Sequence, residues 1–199
     1  MTTLLVAAIA YLLGAIPFGY LLVKWSTGTD VRTGGSGNIG ATNVLRTTGR
    51  AAGIATLLLD IGKGYLAVWI AARLSSHSVF AMSVAALAVM AGHAYPVFLN
   101  FKGGKAMASF VGAFLCATPL ALLGVLVVFI TIVAVTRYIS LASIVGAITF
   151  PLAVWLMEKN LILTLAGLIA GVFIIYKHSS NIQRLHSDTE HVFTFGSKR

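Results

Sequence analysis

The sequence predicts an all-α, polytopic membrane protein of about seven membrane helices, with the N-terminus outside and the C-terminus cytoplasmic. Three observations carry that expectation. Of the 199 residues, 58% are hydrophobic and only 10% are charged, more apolar surface than a soluble domain of this size can bury. The mean hydropathy is +0.94. Stretches approaching the roughly 20 apolar residues of a spanning helix recur along the whole chain, so residues 1–199 read as one membrane domain. The basic residues, finally, sort onto alternate loops.

The first apolar stretch, 3 to 23, has no basic segment before it and runs past Pro17 without a small-residue cleavage site, so it reads as a span rather than a cleaved signal peptide. A long polar loop, 24 to 50, follows. The second and third stretches are 51 to 74 and 79 to 100, joined by "SSHS". The next two, 106 to 118 and 119 to 136, are either separate elements or one long kinked helix. A turn at Pro119 puts Arg137 on the side of Lys102 and Lys105, which favours two. The last two stretches are 140 to 157 and 161 to 176.

With the N-terminus outside, one face collects Lys24, Arg32, Arg46, Arg50, Lys102, Lys105, Arg137, Lys177, Arg184, Lys198 and Arg199. The opposite face receives Arg73 and Lys159, and Lys63 falls inside the second stretch. By the positive-inside rule the crowded face is cytoplasmic, and every Gly-rich or polar cluster lies on it. A formal charge of +9 admits nucleic acid, anionic lipid or a small anionic substrate as partners. No arginine-rich run or nucleic-acid motif is present, so nucleic acid is the weakest of the three. Cys116 stands alone in an apolar stretch and reads as packing.

Three clusters carry chemistry. In "GGSGNIGATNVLR", Gly34 to Arg46, Gly35, Gly37 and Gly40 permit positive φ, and Ser36, Asn38, Thr42 and Asn43 supply hydrogen-bonding groups. Arg46 adds a planar fork for phosphate, and the plain alternative is a capped turn. In "GHAYPVFLNFKGGKAMAS", Gly92 to Ser109, the backbone N–H groups of Gly103 and Gly104 opening a helix, with Lys102 and Lys105, fit an anion. The plain alternative is lysines anchoring helix ends at the headgroups. A nucleotide P-loop is disfavoured, because Ala106 follows the lysine and the GxxxxGK spacing is absent. His93, further up that span, reads as a structural histidine bonded to backbone. In "YKHSSNIQRLHSDTE", Tyr176 to Glu190, a helix would place His178, Asn181 and Arg184 as neighbours on one face.

Smaller candidates are Asp60 with Lys63, either a site or a mutually neutralised pair, and Ser140 and Ser143, which cap a span or bind an anion. No HExxH, carboxylate cluster or Gly-x-Ser-x-Gly elbow occurs, so neither a metal nor a cofactor is expected. The His-x4-Asp pair of the common glycerolipid acyltransferases is also missing, since Met82, Phe98, Gln183, His191 and Gly196 stand five after the histidines. A transporter for a phosphorylated solute is the competing class; it calls for inverted repeats, and none is visible.

Together, "SGNIGATNVLR", "GHAYPVFLNFKGGKAMAS" and "HSSNIQRLHSDTE", supported by "GAIPFGYL" and "RYISLAS", resemble the bacterial membrane acyl-phosphate:glycerol-3-phosphate acyltransferases, the PlsY family. The resemblance spans nearly the whole chain. It implies seven helices in the bacterial cytoplasmic membrane, with these blocks converging at the cytoplasmic face. The implied reaction transfers an acyl group from acyl phosphate to the 1-hydroxyl of glycerol 3-phosphate, in phospholipid synthesis, giving lysophosphatidic acid and phosphate. It also implies a functional link to the enzyme that makes acyl phosphate from acyl carrier protein. By position in the blocks, His178, Asn181, Lys105 and Arg46 are the catalytic candidates, and Ser36, Asn38, Thr42, Asn43, Gly103, Gly104 and Ser143 the substrate-binding ones. The chain departs from the family's usual pattern in two blocks: Ala106 where Gly is usual, read as helix-compatible, with Ser109 where Thr is usual, which keeps the hydroxyl, and Asp188 where Gly is usual, read as a charge that weakens phosphate affinity.

Overall fold

The computed structural model describes residues 1–193; Lys198 and Arg199, two of the basic residues assigned to the crowded face, lie outside them. Among the described residues every regular element is helical. The chain divides into two compact units, Met1–Ala117 and Thr118–Arg199.

The first unit holds α1 (Thr2–Ala15), α2 (Phe18–Thr27), α3 (Ala41–Thr47), α4 (Arg50–Leu74), α5 (Val79–Ala94) and α6 (Met107–Ala117). Pro17 separates α1 from α2, because proline offers no N–H to continue the ladder. Ser78 begins α5 by accepting the Ala81 N–H. Helix α1 packs on α5, and α4 packs on α1, α5 and α6. The α4–α6 approach depends on Gly64 and Gly112: a Cβ on either would strike a backbone carbonyl of the other helix, that of Ser109 or Ile61. In lipid, where burying leucine gains nothing over the acyl chains, such small-residue contacts and their close van der Waals packing hold helices together.

The second unit holds α7 (Pro119–Thr136), α8 (Ile139–Glu158), α9 (Leu161–Lys177) and α10 (Ser179–His186). Helix α8 packs on both α7 and α9. Thr118 begins this unit with non-helical φ −154° and ψ 74°, so the stretch from 106 to 136 is two helices and not one. Asn160 caps α9 through the Leu163 N–H at 3.1 Å. A bend of 58° separates α9 from α10.

Among the described residues, five segments are long and apolar enough to cross a membrane: Thr2–Thr27, Arg50–Leu74, Val79–Leu99, Pro119–Thr136 and Ile139–Glu158, with α9 and its bent continuation as a sixth. Their outward faces are leucine, isoleucine and valine, as on α7 at Leu120, Leu123, Val127, Ile130 and Val135. The protein is a multi-pass membrane protein. The fourth apolar stretch is the exception to the expected pattern. Its 11 residues in α6 span about 16 Å, roughly half of a hydrocarbon core about 30 Å thick. The shortening has a local cause: residues 102–106 run as irregular chain, and Ala106 has φ +60°, which no helix can include.

Candidate active site

The two loops of the first unit share a small core. Val31, Ile39 and Val44 pack with Val23 of α2 and with Leu99, in the short turn Val97–Leu99 ahead of Gly103. Asn43 organises the first loop. Its side chain is 2% exposed; Oδ1 accepts the Ser36 N–H at 2.8 Å, and Nδ2 faces the carbonyls of Asn38 at 2.8 Å and of Val31 and Gly34 at 3.2 Å. Its amide is turned inward and clamps residues 31–43, a role in shaping the loop that the sequence did not suggest. Asn38 is also engaged, since its Oδ1 accepts the Gly40 N–H at 2.8 Å just before α3 begins.

Positive φ occurs at Gly35 (58°) and Gly37 (69°), but Gly40 (−77°) is the ordinary extended residue preceding a helix. Ser36, Thr42 and Arg46 carry the exposed face of this loop. Thr42 and Arg46, four residues apart on α3, lie on one side of it. Arg32 is committed elsewhere. Asp30 accepts its Nε at 3.0 Å and Nη2 at 2.7 Å, and these bonds hold the Asp30 carboxyl below its usual range against a smaller opposing effect of burial.

The second loop differs from its expectation. Gly103 and Gly104 do not open a helix, since α6 begins only at Met107. The Gly104 N–H is donated to the His93 carbonyl at 3.0 Å, so it does not point toward a ligand. Glycine is required here for a different reason, close approach. A Cβ on Gly104 would fall on Nε2 of the His93 ring, and one on Gly103 would fall on the His93 carbonyl and the Pro96 ring. Lys105 follows directly, half-buried.

His93 also faces a carboxylate. Its Nδ1 lies 3.5 Å from Asp60 Oδ1. The same carboxylate oxygen sits 2.8 Å from Lys63 Nζ, which donates to the Ile16 carbonyl at the α1–α2 break, also at 2.8 Å. Asp60 and Lys63 are therefore a paired, buried couple on successive turns of α4.

In the second unit, His178 forms the corner between α9 and α10, 4% exposed. His178, Asn181 and Arg184 thus do not share one straight helix: the first stands at the bend and the other two on α10. The His178 Nδ1 is 2.8 Å from the Ile174 carbonyl. A carbonyl only accepts, so Nδ1 carries the hydrogen of that bond, and in the neutral form of the ring Nε2 is the basic nitrogen.

Asn181 and Arg184 converge on Glu190. The carboxylate accepts Asn181 Nδ2 at 2.7 Å, Arg184 Nε at 2.8 Å and Ser140 Oγ at 2.9 Å. Burial raises the Glu190 pKa, but these three donors together outweigh it and leave it below the ordinary value. The segment continues to Phe193, whose N–H is donated to the Arg137 carbonyl at 2.8 Å, so the tail lies across the start of α8. Ser140 is not the cap of α8, a place taken by Tyr138. Ser143, buried, donates to the Ile139 carbonyl of its own helix at 2.9 Å and keeps oxygen lone pairs for a donor. Sequence reasoning gave Glu190 no role. The available signal was its position as one of five acidic residues in the chain, set six residues beyond Arg184 in a basic segment.

Residues 4–188 match the family described as glycerol-3-phosphate acyltransferase. The chain belongs to that family. It is 45% identical over 199 residues to a glycerol-3-phosphate acyltransferase of Desulforamulus reducens, covering 100% of this chain and 98% of that one. A second, from Geobacter sulfurreducens, is 48% identical over 193 residues, covering 97% and 98%. Among solved structures, the glycerol 3-phosphate form of PlsY (YgiH), an integral membrane glycerol 3-phosphate acyltransferase, superposes with a TM-score of 0.92 at 37% identity, covering 98% of this chain and 96% of that chain. Its lysophosphatidic acid form gives a TM-score of 0.88 at 35% identity, with the same coverage.

Proposed function

We propose that this family member transfers an acyl group from an acyl phosphate to the 1-hydroxyl of sn-glycerol 3-phosphate, giving lysophosphatidic acid and inorganic phosphate. The proposal places one catalytic domain, 1–199, in the bacterial cytoplasmic membrane, with seven membrane-embedded helices, the N-terminus outside and the chemistry on the cytoplasmic side. Lipid surrounds it, and the enzyme that makes acyl phosphate from acyl carrier protein supplies the donor.

The observation that carries the reading is the placement of the buried His178 ring, with Nδ1 against a backbone carbonyl. Its Nε2 is the basic nitrogen of a buried ring whose Nδ1 is tied 2.8 Å from Ile174 O, as a group that accepts a hydroxyl proton must be. In the proposed step the 1-hydroxyl oxygen attacks the acyl carbonyl carbon, the bond from that carbon to the bridging oxygen breaks, and phosphate leaves with that oxygen and the electron pair. The hydroxyl proton goes to His178 Nε2. Asn181, its amide oriented by Glu190, positions the hydroxyl or the substrate phosphate. Arg46 and Lys105 meet phosphate charge, and Ser36, Thr42 and Ser143 supply hydrogen bonds around it. Asn43, Asn38 and Gly104 act one step back, by shaping the backbone that presents these groups. An acyl phosphate is already activated, so alignment, proton removal and charge stabilisation suffice.

The test is release of phosphate and lysophosphatidic acid by the purified protein from palmitoyl phosphate and glycerol 3-phosphate, with palmitoyl-CoA as the parallel donor. Turnover with acyl phosphate alone, lost in His178→Ala, supports the reading. A folded protein silent with both donors overturns it.

A further inference from the structure

The proposed reaction leaves one buried polar group unused. His93 is 3% exposed, Asp60 1% and Lys63 4%, all inside the first unit and remote in sequence from the His178 corner. A charged pair in an apolar span is costly unless it does something that apolar packing cannot.

Its geometry leads to the second loop. Lys63 ties Asp60 to the Ile16 carbonyl, and Asp60 in turn faces His93 Nδ1. On the other side of the same ring, Nε2 occupies the place a Gly104 side chain would take, while the His93 carbonyl holds the Gly104 N–H and blocks a Cβ on Gly103. One residue therefore grips two consecutive glycines through its ring and its backbone. Lys105 is the next residue along the chain. Because residues 102–106 have no helical ladder of their own, this grip is what defines the path by which Lys105 leaves α5.

We propose that His93, held by Asp60, is a positioning residue that places the Gly103–Gly104–Lys105 backbone so that the Lys105 ammonium meets a substrate phosphate; this rests on the reaction proposed above. His93 acts through Lys105 and touches no substrate. The pairing of Asp60 with Lys63 leaves a carboxylate anchored in the span at fixed height, and that anchor is transmitted to the loop through the imidazole. Glycine at 104 is dictated by the ring above it.

The experiment is a set of steady-state measurements with acyl phosphate and glycerol 3-phosphate on wild type, His93→Ala, Lys105→Ala, Gly104→Ala and the His93→Ala doubles, with thermal unfolding in detergent as the control of folding. Lys105→Ala first identifies which substrate's KM responds to that lysine. The expected results are that His93→Ala raises the same KM about tenfold with kcat within about twofold, and that adding it to Lys105→Ala changes little further. Gly104→Ala is severe in wild type and several-fold milder when the ring is absent. A fall in kcat alone, multiplying effects of His93→Ala and Lys105→Ala, or an undiminished Gly104→Ala effect without the ring each overturns the proposal. Should His93→Ala fail to fold, His93→Asn keeps an N–H donor for Asp60 while emptying the space over Gly104 and is read in its place. Failure of both to fold assigns His93 a purely structural role and overturns the proposal. Wild-type protein inactive with both substrates overturns the proposed reaction itself, an outcome distinct from any of the variant patterns.

Discussion

Asn43 and Arg46 stand three residues apart in one sequence cluster, yet their side chains have different surroundings: Asn43 is buried and Arg46 exposed. Removing the Asn43 amide takes the side-chain partner from the Ser36 N–H and the Asn38 carbonyl, and one of two bonds from each of the Val31 and Gly34 carbonyls. Asn43→Ala is expected to lose about 2–3 kcal/mol of stability, seen as a lower melting temperature. Arg46 is exposed, so Arg46→Ala should leave stability within about 0.5 kcal/mol while sharply reducing turnover. Equal melting losses in the two variants would contradict the clamp. Ala106 is a second residue whose meaning is in the backbone. Its φ of +60° carries strain of about 1 kcal/mol, but its fully buried methyl gains about 0.8 kcal/mol. The two nearly cancel, so Ala106→Gly should be close to neutral in thermal unfolding, whereas Ala106→Val, β-branched at positive φ, loses about 2 kcal/mol or more. Reading Ala106 as helix-compatible failed because φ sign is set by where α6 begins. Asp188, with φ +53°, has the same backbone reason for glycine being usual in its place.

At the scale of elements, the last turn of structure depends on a single carboxylate. Glu190 joins α10, through Asn181 and Arg184, to the start of α8, through Ser140. Its folded pKa is depressed, so its contribution to stability is fully present above the unfolded carboxylate pKa of about 4.3 and is lost as pH falls through the lower folded value. The part of the docking of residues 187–193 that rests on Glu190 should therefore be constant between about pH 8 and 5.5 and lost in acid. Glu190→Gln removes the charge at every pH and should expose this segment at pH 7 to limited proteolysis, with charge-assisted bonds of about 1.5–3 kcal/mol weakened. Cleavage no faster than in wild type would show that Phe193 and the α10 backbone hold the tail without it. The sequence showed the basic and polar members of this cluster at a spacing of three. It did not show the bend at His178, which comes from the side chain and backbone of one residue both reaching the carbonyls of the preceding turn, a choice local periodicity does not encode.

For the whole molecule, what was legible follows from what the bilayer imposes. A hydrocarbon layer of fixed thickness demands long apolar runs, and each apolar stretch read from composition is helical among the described residues, the first broken at Pro17 into α1 and α2 and the third ending as an α-helix at Ala94. Short helices and polar contacts answer to tertiary partners instead, which is why α3 and α10 emerged only as suggestions and the inward amide of Asn43 not at all. Orientation rests on charge and stands as a proposal. Eleven of the 14 basic residues fall on one side of the predicted topology and two on the other, and moving that many cations across a membrane held negative inside opposes the reverse insertion at every loop. The residue pair that tests it lies in loops on opposite predicted sides, Thr29 and Ser76. With Cys116→Ala removing the chain's one native thiol, Ser76→Cys should react with a membrane-impermeant maleimide in intact cells, and Thr29→Cys only after permeabilisation. The reverse pattern would put the Arg46 and Lys105 loops outside, away from a cytoplasmic supply of acyl phosphate, and the proposed reaction would then lack its donor even with every site residue in place.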